Sequence, residues 1–270
     1  MLEPNPRPES DRLSALAALL LIAFGLSRFA FLPPLGIQIP LLGLLISIEV
    51  NSRTVMMLLT AGVAVSGCAG VLRTHPSASR AQPITWLLPG LAALSFGDAL
   101  ARLPFGIGWW AGLLLATAVV LGSIRLEYIL LDPQDPRVPF AASALAGAAF
   151  LILAVGLFDA RASGTRAVFL FPLVTVATAA VVSRVLLLDS GGWPGARYPA
   201  AVGGTTAELA LGLHYWPIHP IQVSILLTLW AYLGVVLIRD LRGQQFGWRS
   251  AAEVGALAAV VVALTSFLAK

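Results

Sequence analysis

The sequence predicts an all-α fold, a polytopic integral membrane helical bundle of about nine transmembrane helices plus one short re-entrant or interfacial segment. Three observations predict it. Of 270 residues, 58% are hydrophobic and only 11% are charged, where a soluble domain carries about 25% charge to keep its surface in water. Apolar runs of membrane-crossing length recur from one end of the chain to the other. Aromatic residues and Arg gather where those runs stop, as amphipathic rings and cations do at the headgroup level.

The first run covers residues 13–32, after Arg7 and Arg12. The basic lead-in resembles a signal peptide, but Arg28 follows and no small-x-small cleavage site does, so an uncleaved first span is expected. Residues 1–12, with Pro4, Pro6 and Pro8, read as a disordered cytoplasmic tail ahead of a single transmembrane domain over 13–270. Further spans are expected at 54–72, 84–103, 105–131, 139–158, 166–188, 217–238 and 250–269. Each is long enough to satisfy its backbone polar groups internally as a helix inside hydrocarbon. Pro89 and Pro172 fall inside two of them and predict kinks.

Two segments are ambiguous. Residues 35–48 are short and contain Pro40, which suits a re-entrant or interfacial element. Residues 199–215 are weakly apolar and contain Glu208, yet a span is needed there to keep the Arg-rich loops on one side. The loops near 73–83, 132–138, 189–199 and 239–249 hold Arg73, Arg80, Arg137, Arg197, Arg239, Arg242 and Arg249. The positive-inside rule puts them in the cytoplasm, with the N-terminus inside, the C-terminus outside and the cell membrane as the location. A weak echo, Leu131-Asp132 before Arg137-Val138-Pro139 and Leu188-Asp189 before Arg197-Tyr198-Pro199, is compatible with an internal duplication.

The net charge of +4 lies in scattered Arg residues, which suits contact with anionic headgroups and gives no contiguous basic face for nucleic acid. Membrane lipids are the expected partners, with protein partners or a homo-oligomer left open. Cys68 is the sole cysteine, so no intrachain disulfide forms, and its neighbours Gly67 and Gly70 mark it as a packing residue. No Walker A run, His-Glu-x-x-His pair or Gly-x-Ser-x-Gly elbow occurs, and no cofactor is expected.

Ionisable groups within spans are the candidate functional residues, because they are costly there. Glu208 stands out, in Gly203-Gly204-Thr205-Thr206-Ala207-Glu208, where small residues and hydroxyls favour close helix contact. A carboxylate there binds a cation or relays a proton, or it is simply hydrogen-bonded to a neighbouring helix. Asp98 lies four residues before Arg102 on one helix face, the spacing of a local ion pair. Arg28, Arg102, Arg125 and Arg184 are expected to snorkel to the interface. His214 and His219 flank Tyr215-Trp216-Pro217, either as ligands or titrating groups or as part of an interfacial aromatic turn. Asp132 and Asp135 are weak metal candidates, able to hold Mg²⁺ through carboxylate oxygens. Asp-Pro turns between helices explain them as well, and the chain lacks the second Asp cluster that membrane prenyltransferases carry. Two function classes follow, small-solute or lipid transport and a non-catalytic membrane subunit or scaffold. An enzyme acting on lipid-linked substrates stands third.

Overall fold

The computed structural model describes residues 10–29, 33, 35–41, 44–190 and 195–243, with single positions at 252, 255 and 259. Apart from those three positions, the expected span at 250–269 lies outside the described residues, as do residues 1–9 of the tail. The chain divides into two compact units, Met1–Ala141 and Ala142–Lys270.

The first unit opens with α1 (Ser10–Phe29), followed by β1 (Leu35–Leu41), β2 (Leu44–Val50), α2 (Ser52–Leu72), a 3-10 turn (Ala78–Arg80), α3 (Ile84–Arg102) and α4 (Ile107–Leu130). α2 starts because Asn51 caps it, its side-chain oxygen accepting from the Thr54 amide at 2.9 Å while its own backbone stays extended. The helices pack through Leu16, Leu20 and Phe24 of α1, Ala64 and Cys68 of α2, Leu88 and Ala92 of α3, and Ala116 and Val120 of α4, all buried.

The second unit is formed by α5 (Val138–Ala162), α6 (Ala167–Ser190), α7 (Arg197–His214) and α8 (Pro220–Gly243). α5 ends in a Schellman motif: Gly164 takes φ +65°, Thr165 N–H donates to the Ala160 carbonyl, and Gly164 N–H to that of Arg161. α6 and α7 approach closely at Gly203, where an added Cβ meets the Thr175 carbonyl oxygen at 2.5 Å. That contact is backbone against backbone, so no side chain can swing aside to relieve it. Small residues at such crossings are how spanning helices gain contact when lipid is as apolar as their side chains.

Seven helices, α1 to α6 and α8, are long and apolar enough to cross a membrane. The chain is thus a helical membrane protein, as composition required. α3 and α6 run on as helices through Pro89 and Pro172. α7 covers the ambiguous 199–215 segment as an 18-residue helix, but it is not among the seven.

Residues 35–48, expected to be a re-entrant or interfacial segment, carry strands in an otherwise helical chain. They form an antiparallel two-stranded sheet, paired Leu35↔Val50, Ile37↔Ile48, Ile39↔Ile46 and Leu41↔Leu44, with Gly36↔Glu49, Gln38↔Ser47 and Pro40↔Leu45 between. The reason lies in the residues: Ile alternates with Gln, Pro and Ser at period two, and β-branched side chains favour a pleated surface. Pro40 is tolerated because both strands of a two-stranded sheet are edges. Each strand has seven residues, short of the roughly 9–11 that a membrane-spanning strand needs.

Replacing Gly203 with Ala is expected to destabilise the second unit by about 1–3 kcal/mol. A thermal melt in detergent would register this as a lower midpoint than wild type. Gly204→Ala, whose Cβ meets nothing within 4 Å, serves as the matched control.

Candidate functional site

Glu208 is exposed on α7, on the face opposite the buried Val202, Gly203, Thr206 and Ala210. The polar run that drew attention to it divides between the two faces. Thr206 is buried and donates to the Val202 carbonyl at 2.7 Å, a helix-internal bond. Thr205 is exposed and accepts from Trp230 Nε1 of α8 at 3.3 Å. Glu208 therefore points away from the core of its own unit, along a stripe that also holds Ala201, Thr205 and Gly212.

Asp98 belongs to the first unit and is fully engaged in ion pairing. Its carboxylate takes Arg102 at 2.9 Å, the pair expected from the four-residue spacing, and also Arg53 from the first turn of α2. Arg53 Nη2 donates to the Asp98 backbone carbonyl at 2.9 Å as well. One carboxylate shared by two guanidiniums ties the start of α2 to the end of α3.

His214 and His219 also have local structural roles. Arg161, at the end of α5, donates from Nη1 to the His214 carbonyl at 2.8 Å and from Nη2 to the Trp216 carbonyl at 3.0 Å. It thereby caps the C-terminal end of α7, where cations are favoured. His219 opens α8 like a capping-box residue. Its Nδ1 lies 3.5 Å from the Ile221 amide, and its own N–H donates to Gln222 Oε1 at 3.2 Å, with Pro220 as the first helical residue.

Asp132 and Asp135 stand in the turn after α4, and the structure brings His75 near them. His75, between α2 and the 3-10 turn, is buried and stacks edge-on against Tyr128 of α4, ring centroids 4.5 Å apart. Its Nδ1 accepts from the Ser77 amide at 2.9 Å, which leaves Nε2 as the protonated nitrogen of the neutral ring. Loops 73–83 and 132–138 therefore meet at one end of the first unit. Asp135 is held in a fork by Arg137, Nη2 to Oδ2 at 2.6 Å and Nε to Oδ1 at 3.0 Å, and also accepts the Arg137 amide at 2.8 Å. Asp132 accepts the Gln134 amide at 3.1 Å in an Asx turn. The carboxylates thus serve turns and an ion pair, and among the described residues no group of three or more His, Cys, Asp or Glu is arranged to hold a metal.

Electrostatics at this cluster follow from its geometry. Burial pushes the His75 imidazole below its ordinary value, against the opposing pull of Asp132 and Asp135. The Arg137 hydrogen bonds hold the Asp135 carboxyl below the usual carboxylate range, despite burial.

Three ionisable residues are the most deeply buried in the spanning helices. Glu127 of α4 is 1% exposed, Asp159 of α5 3% and Arg184 of α6 5%. Arg184 was expected to snorkel and instead lies inside its unit, while Arg28 and Arg125 are exposed. All three are visible in the sequence as charges at the edges of apolar runs. Their burial follows from helix phase and from helices that run on past those edges, since α5 continues to Ala162 beyond the predicted stop at 158.

A polytopic helical membrane protein with acidic and basic groups enclosed by its helices is the class that fold and site define. The chain belongs to the DUF5656 family, described as a protein of unknown function, whose model matches residues 32–268. The matched range takes in the hairpin and every helix from α2 onward. No curated protein and no solved structure matches the chain.

His75 gives a pH prediction. A folded-state value below the ordinary imidazole value of 6.5 means that the unfolded chain takes up the proton first. Stability is complete above that value and is lost as pH falls from it toward the folded value. The thermal midpoint in detergent is expected to drop between pH 7 and pH 5. His75→Asn, which retains an acceptor for the Ser77 amide, is expected to flatten that drop. An equally steep profile in the variant would assign the titration elsewhere.

Proposed function

We propose that this protein translocates a small solute or a lipid across the cell membrane. The observation that carries the reading is the burial of Glu127, Asp159 and Arg184 within helices of spanning length. Ionisable groups enclosed by spanning helices are rare and costly to desolvate, and, paired with one another or with backbone carbonyls, they mark solute and proton pathways. In this reading α7 and residues 250–269 also cross, which gives nine spans with the N-terminus in the cytoplasm and keeps the Arg-rich loops on one side. Glu127 in the first unit and Asp159 in the second are each groups that exchange protons or hold a cation, and Arg184 receives an anionic group.

Reconstitution tests it with two probes, a pH dye trapped in proteoliposomes and a fluorescent phospholipid reduced from outside by dithionite. Wild type is expected to pass protons or to expose inner-leaflet lipid faster than protein-free vesicles. Glu127→Gln and Asp159→Asn are each expected to reduce that rate by about tenfold or more. Absence of both activities in folded wild type would end the translocation reading.

A second reading has its own observation. Glu208 lies on an exposed stripe of α7 with Ala201, Thr205 and Gly212, and a carboxylate on an outward helix face suits a subunit whose partner covers it. Native mass spectrometry of gently extracted protein is expected, in that case, to show a stoichiometric partner or a homo-oligomer that Glu208→Leu disperses. A monomer in both forms would remove the subunit reading.

A further inference from the structure

We infer that the β1–β2 hairpin lies flat on the bilayer surface, its aliphatic face seated at the boundary between headgroups and acyl chains. The occupant of that face is the lipid of the membrane that α1 and α2 cross. The inference rests on the membrane character of the chain alone and is independent of what the chain moves.

The first ground is register. Positions directly opposite one another in an antiparallel pair share a face, and the faces alternate along each strand. The pairs 35–50, 37–48, 39–46 and 41–44 are aliphatic on both strands, whereas the intervening pairs bring Gly36, Gln38, Pro40, Ser47 and Glu49, with Leu45 as the one large aliphatic residue, to the other face. A sheet so divided requires an apolar surface on one side and water on the other. Leu35, at the base of the aliphatic face, is 66% exposed.

The second ground is the anchorage. Only Asn51 separates β2 from α2, and α1 ends at Phe29, six positions before β1 begins at Leu35. Both neighbours are helices of spanning length, so the base of the hairpin is held where those helices leave the hydrocarbon. Aromatic residues mark that level. Phe29 meets Phe105 at 6.3 Å, and Phe105 meets Trp109 at 5.5 Å and Trp110 at 6.1 Å. The Arg53–Asp98–Arg102 cluster stands at the adjoining ends of α2 and α3. Rings and guanidiniums together are the signature of the headgroup zone.

The third ground excludes deeper insertion. A two-stranded sheet has unpaired amides and carbonyls along both outer edges, and hydrocarbon does not accept an open edge. Lying flat keeps those edges among headgroups and water while the aliphatic face reaches roughly 5–10 Å into the boundary, the depth typical of interfacial amphipathic elements.

The sole cysteine makes a clean test possible. On a Cys68→Ala background, single substitutions Ile37→Cys, Ile39→Cys, Ile46→Cys, Gln38→Cys and Ser47→Cys carry an environment-sensitive fluorophore in nanodiscs of phosphatidylcholine and phosphatidylglycerol. Spin-labelled acyl chains are the lipid-side quencher and iodide the water-side quencher. Labels at 37, 39 and 46 are expected to lose fluorescence to the lipid quencher, and labels at 38 and 47 to iodide. Iodide quenching at every site would mean that the hairpin stands off the membrane. Lipid quenching at every site would mean that it inserts. Protection from both quenchers at 37, 39 and 46 would mean that protein covers the face, and each of these three results overturns the inference. Wild-type protein with a photoreactive phospholipid provides the measurement that needs no substitution. Crosslinks on residues 35–50 support the placement, and their absence beside crosslinks on α1 and α2 overturns it.

Discussion

A backbone amide inside hydrocarbon must find its acceptor within the same element or a closed neighbour, because no water is there to take its place. The rest of this structure depends on that constraint. It turns the long apolar runs into helices whatever their local propensities, so β-branched stretches such as Val181-Val182 in α6 and Val235-Val236 in α8 remain helical. It also confines the single described sheet to a place where open edges are tolerated. The side chains then decide how helices meet: Gly203 lets α6 and α7 touch backbone to backbone, and the Arg residues fix helix ends to one another.

Much of the fold is legible in the sequence because the bilayer filters strongly on length and hydropathy. Residues 54–72 and 84–103 reappear as α2 and α3 within two residues at each end. The hairpin was legible too, since Ile37-Gln38-Ile39 and Ile46-Ser47-Ile48 alternate at period two on either side of Gly43. Length and Pro40 point only to a re-entrant or interfacial segment, and an apolar segment in a membrane protein is weighed first as helical. What outranked that prior is the β-preference of Ile and the freedom of an edge strand to hold Pro.

The candidate residues show a different limit. A charge in an apolar run announces itself, but the direction it faces depends on helix phase against neighbours that the sequence does not name. Glu208 sits in the most suggestive local context and faces outward, while Glu127, at what reads as a span end, is enclosed. The two histidines offer side chains that could ligate or titrate, while the structure uses a backbone carbonyl of one and the N-cap position of the other. His75 could not be joined to Asp132 and Asp135 by sequence spacing, since only the return of α4 beside α2 brings the two loops together.

The Arg161 clamp carries a consequence for synthesis. Its acceptor carbonyl on His214 lies 53 residues further along the chain. At a bacterial or eukaryotic elongation rate of about 5–20 residues per second, the guanidinium at the end of α5 waits roughly 3–10 s before its acceptor exists. During that interval α5 ends in a cation served only by headgroups and water. Closure of the clamp is therefore a late event in biogenesis, and it marks the moment at which the turn between α7 and α8 has emerged and found its helix.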